Sequence, residues 1–306
     1  MSESLVECVP NFSEGRDVRR VEAIVASMRV EGVRLLDWSM DADQNRSVVT
    51  IVGPPAAVVE AAVQAAGKAA ELIDLTRHQG THPRIGAADV IPFTPVAGIK
   101  LEQCALLARQ AGLDIWRRYG IPVYFYEAAA ARPDRANLED VRAGQFEGLR
   151  EAVRKEASRR PDVGGPGLHP TAGACAVGAR KFLISYYVSF DSTDVAMVRS
   201  IARELRPASS GLKGVKAIPL LAHGQVQLSV SITDYKQTPV SQVYRKICTL
   251  AGRFKSAPVH GEVVGLIPEA ACERDSDWMR LLVEFDPDTK VLERRLTTPL
   301  TWPGGN

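Results

Sequence analysis

The segment Phe182–Phe190, FLISYYVSF, opens the series of elements that decides the fold class. Its β-branched and aromatic residues are typical of a strand, and the residues that follow, Asp194–Leu205, predict a helix. The elements predicted after this helix are strands at Val215–Leu221, Gln225–Ile232 and Val263–Ile267, a turn at His223-Gly224, and a helix that begins at Pro239. The C-terminal half is therefore predicted to have the order β-α-β-β-α-β.

The N-terminal half repeats this order. Apolar residues recur with helical spacing over Asp17–Val30, and Pro54-Pro55 predicts the start of a long second helix, because proline is favoured in the first helical turn. Val90–Val96 predicts a strand, which its two prolines weaken or place at a sheet edge. The other strands predicted in this half are Leu5–Val9, Val33–Trp38 and Ser47–Val52. This order is the split-βαβ arrangement. We therefore predict the α/β (α+β) class, with two ferredoxin-like sandwich subdomains in tandem and helices mainly on one face of each sheet.

Additional elements precede the second half. They are predicted to be a helix at Leu101–Tyr119, a strand at Ile121–Tyr126 and a mostly helical stretch to about Ser158. Residues 161–173 are rich in glycine and proline and are predicted to be irregular. They form either a simple linker or a rigid loop whose backbone approaches a ligand at the domain boundary, where clefts tend to occur. We predict one subdomain over residues 1–178, which includes this interdomain loop, and a second over residues 179–306.

The composition indicates a globular protein of two ordinary-sized domains. The 306 residues are 45% hydrophobic and 24% charged, with a net charge of +2. This near-balance gives no reason to expect a nucleic acid or a membrane surface as a partner. No apolar run reaches the roughly 20 residues that span a bilayer, and the first residues lack the basic region of a signal peptide. The five cysteines are far apart and form no CxxC pair, so we expect neither disulfides nor structural zinc, and a cytoplasmic location.

The segment Thr76–Asp89, TRHQGTHPRIGAAD, concentrates candidate catalytic groups and contains two glycines that allow unusual backbone angles. Pro83 fixes its own φ and favours an extended conformation at His82, which therefore lies on a stiffened loop. An imidazole that titrates near neutrality suits proton transfer. The alternative is a polar turn whose histidines cap backbone groups. His78 and His82 are four residues apart, as metal ligands on a helix would be, but Gly80 and Pro83 argue against a helix, and we expect no metal.

Several longer blocks carry a family resemblance. They are Val6–Gly15 (VECVPNFSEG), Asn45–Val48 (NRSV), Val52–Pro55 (VGPP), Arg77–Asp89, Pro122–Tyr126 (PVYFY), Val141–Glu147 (VRAGQFE), Gly178–Ile184 (GARKFLI) and Val263–Pro268 (VVGLIP). In this order they resemble the formiminotransferase domain of the glutamate formimidoyltransferases, which in some members is fused to a cyclodeaminase domain. The resemblance runs from about Leu5 to Pro268.

The resemblance implies an enzyme that moves the formimino group from N-formimino-L-glutamate to N5 of its cosubstrate tetrahydrofolate in histidine degradation. The family's catalytic histidine corresponds to His82. The resemblance also implies a homodimer. The segment that contacts folate in the family corresponds to Gly164, Gly165, Pro166, Gly167, Leu168, His169, Pro170, Thr171, Ala172 and Gly173.

This transfer needs a proton shuttle and carboxylate ligands. N5 loses a proton when it attacks the amidine carbon, and the glutamate nitrogen gains one when it leaves, so one base that becomes an acid serves both steps. His82 is the candidate. Both substrates carry glutamate carboxylates, and arginine binds a carboxylate through a bidentate fork. The candidate carboxylate ligands in the family-like blocks are Arg46, Arg77, Arg84 and Arg180, of which we expect two to serve. Asp37 or Asp41 would either pair with the amidinium or cap a loop.

Two other functions fit the same residues. One is a different folate one-carbon enzyme that acts on 5-formyltetrahydrofolate, which also needs a folate cleft and a proton shuttle. The other is a non-catalytic folate-binding protein on the same fold, which the intact His82 loop disfavours. The residues after Pro268 are too few for an independent helical domain. We therefore expect the chain to stop at 5-formiminotetrahydrofolate, and cyclisation to need a separate cyclodeaminase.

Overall fold

The computed structural model describes residues 4–209, 211–222, 225–273, 276–283 and 285–304. The chain divides into two compact units, one comprising Met1–Arg180 with Pro299–Asn306, and the other Lys181–Thr298. The turn expected at His223-Gly224 lies outside the described residues. The predicted α/β class is confirmed, because each unit is built on a sheet of its own with helices packed against it.

A seven-stranded sheet forms the centre of the first unit. Its strands are β1 (Leu5–Cys8), β2 (Asn11–Phe12), β3 (Arg34–Asp41), β4 (Arg46–Gly53), β5 (Ala88–Ala97), β6 (Val123–Glu127) and β7 (Cys175–Ala179). β1 and β2 follow one another between β4 and β5 and are antiparallel to both. β3 pairs with the other side of β4. β7 runs parallel to β5 on one side and to β6 on the other.

β5 is an inner strand although it contains Pro92 and Pro95, so the edge position that these prolines suggested is wrong. Proline removes an amide donor but keeps its carbonyl acceptor. Pro92 O accepts a hydrogen bond from Val9 N at 3.3 Å, and Phe93 O accepts one from Arg180 N at 3.0 Å. These acceptors, together with fully buried side chains such as Phe93, hold the strand in the interior of the sheet.

Three helices pack against one face of this sheet: α1 (Val18–Ser27), α2 (Pro55–Leu72) and α3 (Leu101–Tyr119). The second begins at Pro55, as predicted. Small residues bring α2 close to α3, since a Cβ added at Gly67 would lie 2.2 Å from the ring of Tyr119. The three helices and the strand residues Val6 and Cys8 share one apolar core.

Two shorter helices, α4 (Leu138–Val141) and α5 (Gln145–Lys155), cover the other face of β5, β6 and β7. β7 itself was not predicted. Its residues, CAVGA, are small because the strand is buried on both faces. The ring of Tyr126 occupies the space that a side chain at position 178 would need, 2.5 Å from a Cβ added at Gly178. Strand periodicity in the sequence does not reveal a strand of this kind.

The last part of the chain returns to the first unit. Leu300 N donates a hydrogen bond to Leu35 O on β3 at 2.7 Å, and the two residues form an isolated antiparallel bridge. Trp302 packs against the same apolar core. The first unit is therefore made of two separate stretches of sequence.

The second unit has a four-stranded antiparallel sheet. Its elements are β8 (Ile184–Phe190), α6 (Val195–Leu205), β9 (Val215–Ala222), β10 (Gln225–Ile232), α7 (Val240–Gly252) and β11 (Pro258–Val264). The strand order is β11-β8-β10-β9. The predicted order β-α-β-β-α-β is confirmed, although the last strand begins five residues earlier than the sequence indicated, at Pro258 instead of Val263.

Three short helices follow the second sheet: α8 (Asp277–Arg280), α9 (Pro287–Lys290) and α10 (Leu292–Thr297). Trp278 is fully buried and meets the ring of Tyr186 edge-on, with 5.7 Å between ring centroids. Single 3₁₀ turns occur at Pro133–Arg135, Ala157–Arg159, Pro207–Ser209 and Glu269–Ala271. None of the helices in the described part of the chain combines the length and apolar character that crossing a bilayer requires.

Candidate active site

A pocket in the first unit lies where β2, the β3–β4 connection and the His82 loop meet. It contains about 200 Å³ of empty space, part of which is open solvent. Its lining residues are Asn11, Phe12, Ser13, Gln44, Asn45, Arg46, His78, His82, Arg84 and Asp89. All of them except Phe12 carry polar side chains, so the pocket suits a polar or charged ligand.

Asn45 connects the three segments that line this pocket. Its Oδ1 accepts a hydrogen bond from Gly15 N at 2.9 Å, and its Nδ2 donates to Gln79 O at 3.0 Å. Its backbone oxygen lies 3.0 Å from Nε2 of His78. The residue has a φ of 49°, in the left-handed region that asparagine tolerates better than most residues. The local conformation of Asn45 therefore sets the positions of the neighbouring loops.

Glycines allow the backbones around the pocket to approach closely. A Cβ would lie 2.2 Å from Asp41 O if added at Gly15, 2.2 Å from Gln44 O if added at Gly80, and 2.0 Å from a backbone oxygen if added at Gly86. Gly80 and Gly86 lie outside the positive-φ region, so they are needed for these approaches and not for unusual angles. The carboxylate of Asp41 caps the same turn, with Oδ1 accepting from Gln44 N at 2.8 Å. Asp41 therefore caps a loop, which is one of the two roles that the sequence suggested for it.

Two hydrogen bonds fix the tautomer of His78. Arg84 Nε donates to His78 Nδ1 at 3.0 Å, so Nδ1 is the unprotonated nitrogen and Nε2–H donates to Asn45 O. Burial lowers the pKa of His78, and the charge of Arg84 acts in the same direction, against the effect of the bond to Asn45. His78 is therefore a neutral imidazole that supports the loop.

Arg84 uses all five of its N–H donors within the protein. Nη1 donates to Gln145 Oε1 at 3.2 Å and to Glu147 Oε2 at 2.9 Å. Nη2 donates to Glu147 Oε1 at 2.7 Å and to His78 O at 3.3 Å, and Nε donates to His78. The residue is only 7% exposed. Arg84 therefore connects the His82 loop to the start of α5, and it presents no donor to a substrate carboxylate.

Asp89 connects the His82 loop to a further arginine, Arg142. Its Oδ1 accepts a hydrogen bond from Ile85 N at 2.7 Å, and its Oδ2 accepts one from Arg142 Nη2. The side chains of Asp89 and Arg142 are 4% and 13% exposed, so removing either partner would leave a buried charge without its counterion. Arg142 was not among the sequence-based candidates, although it lies in one of the family-like blocks.

His82 lines the pocket and is neutral. Burial, followed by the positive charges of Arg46 and Arg142, lowers the pKa of His82 to about 2, against an opposing backbone hydrogen bond at Pro83. The imidazole therefore presents an unprotonated nitrogen at physiological pH, which is the state that a general base requires.

Arg46 and Arg77 occupy different environments. Arg46 lines the pocket with His82, and its Nη2 donates a hydrogen bond to Asn11 Oδ1. The side chain of Arg77 is 89% exposed, with its Nε 3.8 Å from Asp74 Oδ2. The structure therefore brings Arg46 together with His82 and leaves Arg77 outside the lining of this pocket.

Arg180 lies near a buried carboxyl group on β1. Glu7 is 2% exposed, and burial raises its pKa to about 7, against the lowering effect of the Arg180 charge. Thr94 stands opposite Glu7 in the β1–β5 pairing, and its buried Oγ1 has no hydrogen-bond partner. Arg180 and Glu7 are not among the residues that line the His82 pocket.

The glycine- and proline-rich segment is anchored beside the His82 loop. Ala87 N donates to Ala172 O at 2.9 Å, and Ala174 N donates to Ile85 O at 2.9 Å. Gly173 has a φ of 70°, and a Cβ there would lie 2.1 Å from Ile85 O. The segment lies within the first unit and is followed directly by β7, so it does not lead straight into the second unit.

The glycines of this segment have different surroundings. Gly164 has a φ of 107°, and a Cβ there would lie 3.1 Å from the ring of Trp116. A Cβ at Gly165 or Gly167 would meet no atom within 4 Å. The half-buried His169 supports the turn of this segment, since its Nδ1 accepts a hydrogen bond from Ala172 N at 3.0 Å. The stretch around Gly165 and Gly167 is therefore the part that a ligand is able to approach.

Sequence reasoning did not single out several residues of this site. Ser13 is one of them, and its Oγ donates to Gly86 O at 2.7 Å. The others are Asn11, Gln44, Asn45 and Asp89, together with Arg142, which contacts Asp89 without lining the pocket. All but Gln44 lie in blocks quoted for the family resemblance, which was the available signal. Among the described residues, no three His, Cys, Asp or Glu side chains converge as metal ligands would.

Two family models match the chain over most of its length. The model described as formiminotransferase domain, N-terminal subdomain, matches residues 5–180, and that described as formiminotransferase domain matches residues 186–280. The chain belongs to the formiminotransferase family. These matches confirm the resemblance, and the His82 pocket lies in the part that the N-terminal formiminotransferase subdomain matches.

Named formimidoyltransferases are similar to this family member along nearly its whole length. A glutamate formimidoyltransferase of Thermoplasma acidophilum is 43% identical, with 96% of this chain and 97% of that protein covered. The glutamate formimidoyltransferase of Streptococcus pyogenes serotype M1 is 38% identical, with 95% and 98% covered. A formimidoyltransferase-cyclodeaminase of Gallus gallus is 40% identical over 87% of this chain and 51% of that protein. The relation to the last protein therefore concerns about half of its length.

Proposed function

We propose that this protein is a folate-dependent formimidoyltransferase that moves the formimino group of N-formimino-L-glutamate to N5 of tetrahydrofolate, in histidine degradation. The observation that carries the proposal is the presence of neutral His82 with Arg46 in one polar pocket. The near full-length similarity to glutamate formimidoyltransferases supports it. The proposal concerns the transfer step alone.

His82 is the proposed proton shuttle. N5 of tetrahydrofolate attacks the protonated amidine carbon and forms a C–N bond, and the unprotonated nitrogen of His82 takes the proton from N5. The C–N bond to glutamate then breaks with its electron pair on the glutamate nitrogen, which receives the proton back from His82. The imidazole ends neutral, so the cycle is complete. Positioned proton transfer of this kind contributes roughly 10²–10⁴-fold.

Arg46 is the proposed ligand for a substrate carboxylate, because it lines the pocket with His82. We do not propose Arg84 for this role, since its donors are all engaged within the protein. Arg77 is exposed and Arg180 lies beside Glu7; neither is needed in the mechanism proposed here.

We place tetrahydrofolate, as the cosubstrate, along Gly164–Gly173. The open space at Gly165 and Gly167 supports contact with a flat ring. The hydrogen bonds between this segment and the His82 loop support a pterin held within reach of the imidazole. A homodimer in the cytoplasm belongs to the same proposal, and light scattering at micromolar concentration checks the dimer.

The deciding experiment compares two reactions of the purified protein, both in the presence of tetrahydrofolate. The first contains formiminoglutamate as the donor, and the second contains 5-formyltetrahydrofolate as the donor together with glutamate. We expect glutamate release in proportion to formimino transfer, with less activity in the second reaction. His82→Gln removes the proposed shuttle, and His260→Gln, at an exposed histidine of the second unit, is the matched control. Preference for 5-formyltetrahydrofolate would establish the alternative enzyme, and tight folate binding without any turnover would establish a folate-binding protein.

A further inference from the structure

Gln44 carries an unused hydrogen-bond acceptor at the His82 pocket. The residue lines this pocket and is only 6% exposed. Its Oε1 is buried and has no hydrogen-bond partner among the residues that the structure describes. Proteins rarely leave a buried polar atom in this state. The acceptor therefore points to a ligand that enters the pocket with a hydrogen-bond donor.

Asp41 fixes the orientation of the Gln44 amide. Gln44 Nε2 donates a hydrogen bond to Asp41 Oδ2 at 3.3 Å, and Asp41 Oδ1 accepts one from Gln44 N at 2.8 Å. A carboxylate accepts hydrogen bonds and donates none, so the amide atom beside Asp41 is the NH2 group. Rotation of the amide by half a turn would place two acceptors against each other. Oε1 is therefore the amide atom of Gln44 that remains for a ligand.

The backbone around Gln44 contacts the loop that carries His82. Thr81 N donates a hydrogen bond to Asp43 O at 3.2 Å, and a Cβ added at Gly80 would lie 2.2 Å from Gln44 O. Gln44 and His82 thus lie on two backbone segments in direct contact, and both residues line the same pocket. A small group bound at Oε1 is therefore held on the side of the pocket where the loop of His82 lies.

The other carboxyl and amide oxygens of the lining side chains are occupied within the protein. Both oxygens of Asp89 accept hydrogen bonds, and Oδ1 of Asn11 and Oδ1 of Asn45 each accept one. The pocket thus offers a ligand the unprotonated nitrogen of His82 and Oε1 of Gln44. A pair of acceptors suits a ligand with several N–H donors.

Formimino and formyl groups differ at the terminal atom that such an acceptor would contact. The protonated formimino group of the proposed donor ends in a nitrogen with two N–H donors, whereas a formyl group ends in an oxygen that only accepts. This nitrogen keeps its N–H donors before and after transfer, because the bond to the glutamate nitrogen is the one exchanged for a bond to N5. A buried acceptor that faces another acceptor loses both its hydrogen bond and its hydration, and binding sites discriminate strongly on this basis.

We infer that Oε1 of Gln44 accepts a hydrogen bond from the terminal nitrogen of the formimino group, and that this contact selects formimino donors over formyl donors. The inference rests on the proposed function for the identity of the donor. Gln44 is then a specificity-determining residue of the pocket, and Asp41 is the positioning residue that orients its amide.

The test compares N-formimino-L-glutamate with N-formyl-L-glutamate, in which an oxygen replaces the terminal nitrogen. Calorimetry in the absence of tetrahydrofolate gives the affinity for each compound, and the ratio of the two affinities measures the preference. We expect the wild type to prefer the formimino compound. Gln44→Met removes the acceptor at similar side-chain length and should lower this preference about 10–100-fold, the usual contribution of a hydrogen bond to a charged group. In the transfer reaction the same variant should raise KM for formiminoglutamate and change kcat little, because the contact is made in the bound donor as well as in the transition state.

Asp41→Asn tests the orientation of the amide. The new side-chain oxygen can still accept from Gln44 N, and the new NH2 group then lies beside the Gln44 amide. We expect Gln44 to turn Oε1 toward this donor and Nε2 toward the pocket. The preference should therefore fall at least as far as in Gln44→Met, and the affinity for N-formyl-L-glutamate should rise. Gln110→Met, at an exposed glutamine on α3, is the matched control and should keep the wild-type preference.

A wild-type protein without this preference overturns the inference, and so does a preference that persists in the variants of Gln44 and Asp41. Circular dichroism establishes that each variant is folded. If Gln44→Met does not fold, the wild-type ratio and Asp41→Asn decide the matter. Transfer to tetrahydrofolate without a preference that depends on Gln44 disproves the inference alone, whereas such a preference without any transfer disproves the proposed function alone.

Discussion

Nε of Arg84 donates a hydrogen bond to Nδ1 of His78 at 3.0 Å, and this contact distinguishes the two histidines of the loop. It commits the lone pair of His78 to Arg84 and its remaining N–H to Asn45 O. The neighbouring histidine, His82, lines the same pocket in the neutral state. Two imidazoles only four residues apart thus have different roles, one in supporting the loop and the other, as proposed, in proton transfer.

Replacement of His82 by glutamine should lower kcat by at least about 10²-fold and change tetrahydrofolate affinity only a few-fold, because an acid–base group is lost and not a binding contact. Replacement of His78 by glutamine should instead lower the melting temperature and raise KM, since the loop loses its hydrogen bonds to Arg84 and Asn45. Steady-state kinetics and thermal unfolding check both variants. Near-normal kcat for His82→Gln at neutral pH would remove this residue from the mechanism.

Arg84→Lys should lower the free energy of unfolding by about 1–3 kcal/mol, because a buried cation keeps its charge and loses most of its hydrogen bonds. Glu147→Gln is the matched change on the partner, whose side chain is 63% exposed, and it should cost less because solvent screens that end of the pair. Urea unfolding of both variants measures the difference. Equal losses would mean that Arg84 acts only through this ion pair.

In the glycine- and proline-rich segment, a larger side chain should weaken ligand binding at one glycine and destabilise the fold at another. Gly165→Val has open space, so the protein should fold normally and bind tetrahydrofolate more weakly while its affinity for formiminoglutamate is retained. Gly173→Ala places a Cβ 2.1 Å from Ile85 O at a φ of 70°, so it should lower the free energy of unfolding by roughly 1–3 kcal/mol. Isothermal titration and urea unfolding separate the two effects. Unchanged folate affinity in Gly165→Val would make this stretch a plain connection.

His82 and Glu7 should give the free energy of unfolding opposite pH dependences. The folded pKa of His82 is lowered from 6.5 to about 2. The unfolded chain therefore binds more protons between these values, and stability falls as pH decreases through this range. The folded pKa of Glu7 is raised from 4.5 to about 7, so its contribution is present below 4.5 and is lost as pH rises toward 7. Each slope is at most about 1.4 kcal/mol per pH unit.

Urea unfolding between pH 4 and pH 8 checks this pair of effects. Glu7→Gln should remove the loss of stability toward pH 7, and His82→Gln should reduce the loss below pH 6.5. Between pH 4.5 and pH 6.5 the free energy of unfolding of the wild type should change little, because the contributions of Glu7 and His82 oppose one another in this range. If Glu7→Gln had the same pH profile as the wild type, the carboxyl group of Glu7 would not titrate in this range.

Strand and helix periodicity predicted the order of elements in the second unit and most of the elements in the first, because most of these strands and helices bury one apolar face; the two-residue strand β2 was not predicted. It did not predict β7, whose small residues reflect burial on both faces, nor the inner position of β5. Within the site, Pro83 was enough to draw attention to His82. The role of Arg84 was not predictable, because its saturation depends on Gln145 and Glu147, which are distant in sequence. Likewise, only the folded structure shows that Arg46 lines the pocket whereas Arg77 is exposed.

The pairing of Leu300 with Leu35 makes the first unit discontinuous in the chain. On the ribosome, β3 is synthesised long before the segment that binds beside it, and at roughly 5–20 residues per second the delay is about 10–50 s. During this interval the outer edge of β3 is available to other nascent chains, and exposed strand edges promote association. The residues around Leu300 thus cover this edge once they have been synthesised, so loss of this short segment should reduce soluble yield more than it reduces the activity of the molecules that do fold.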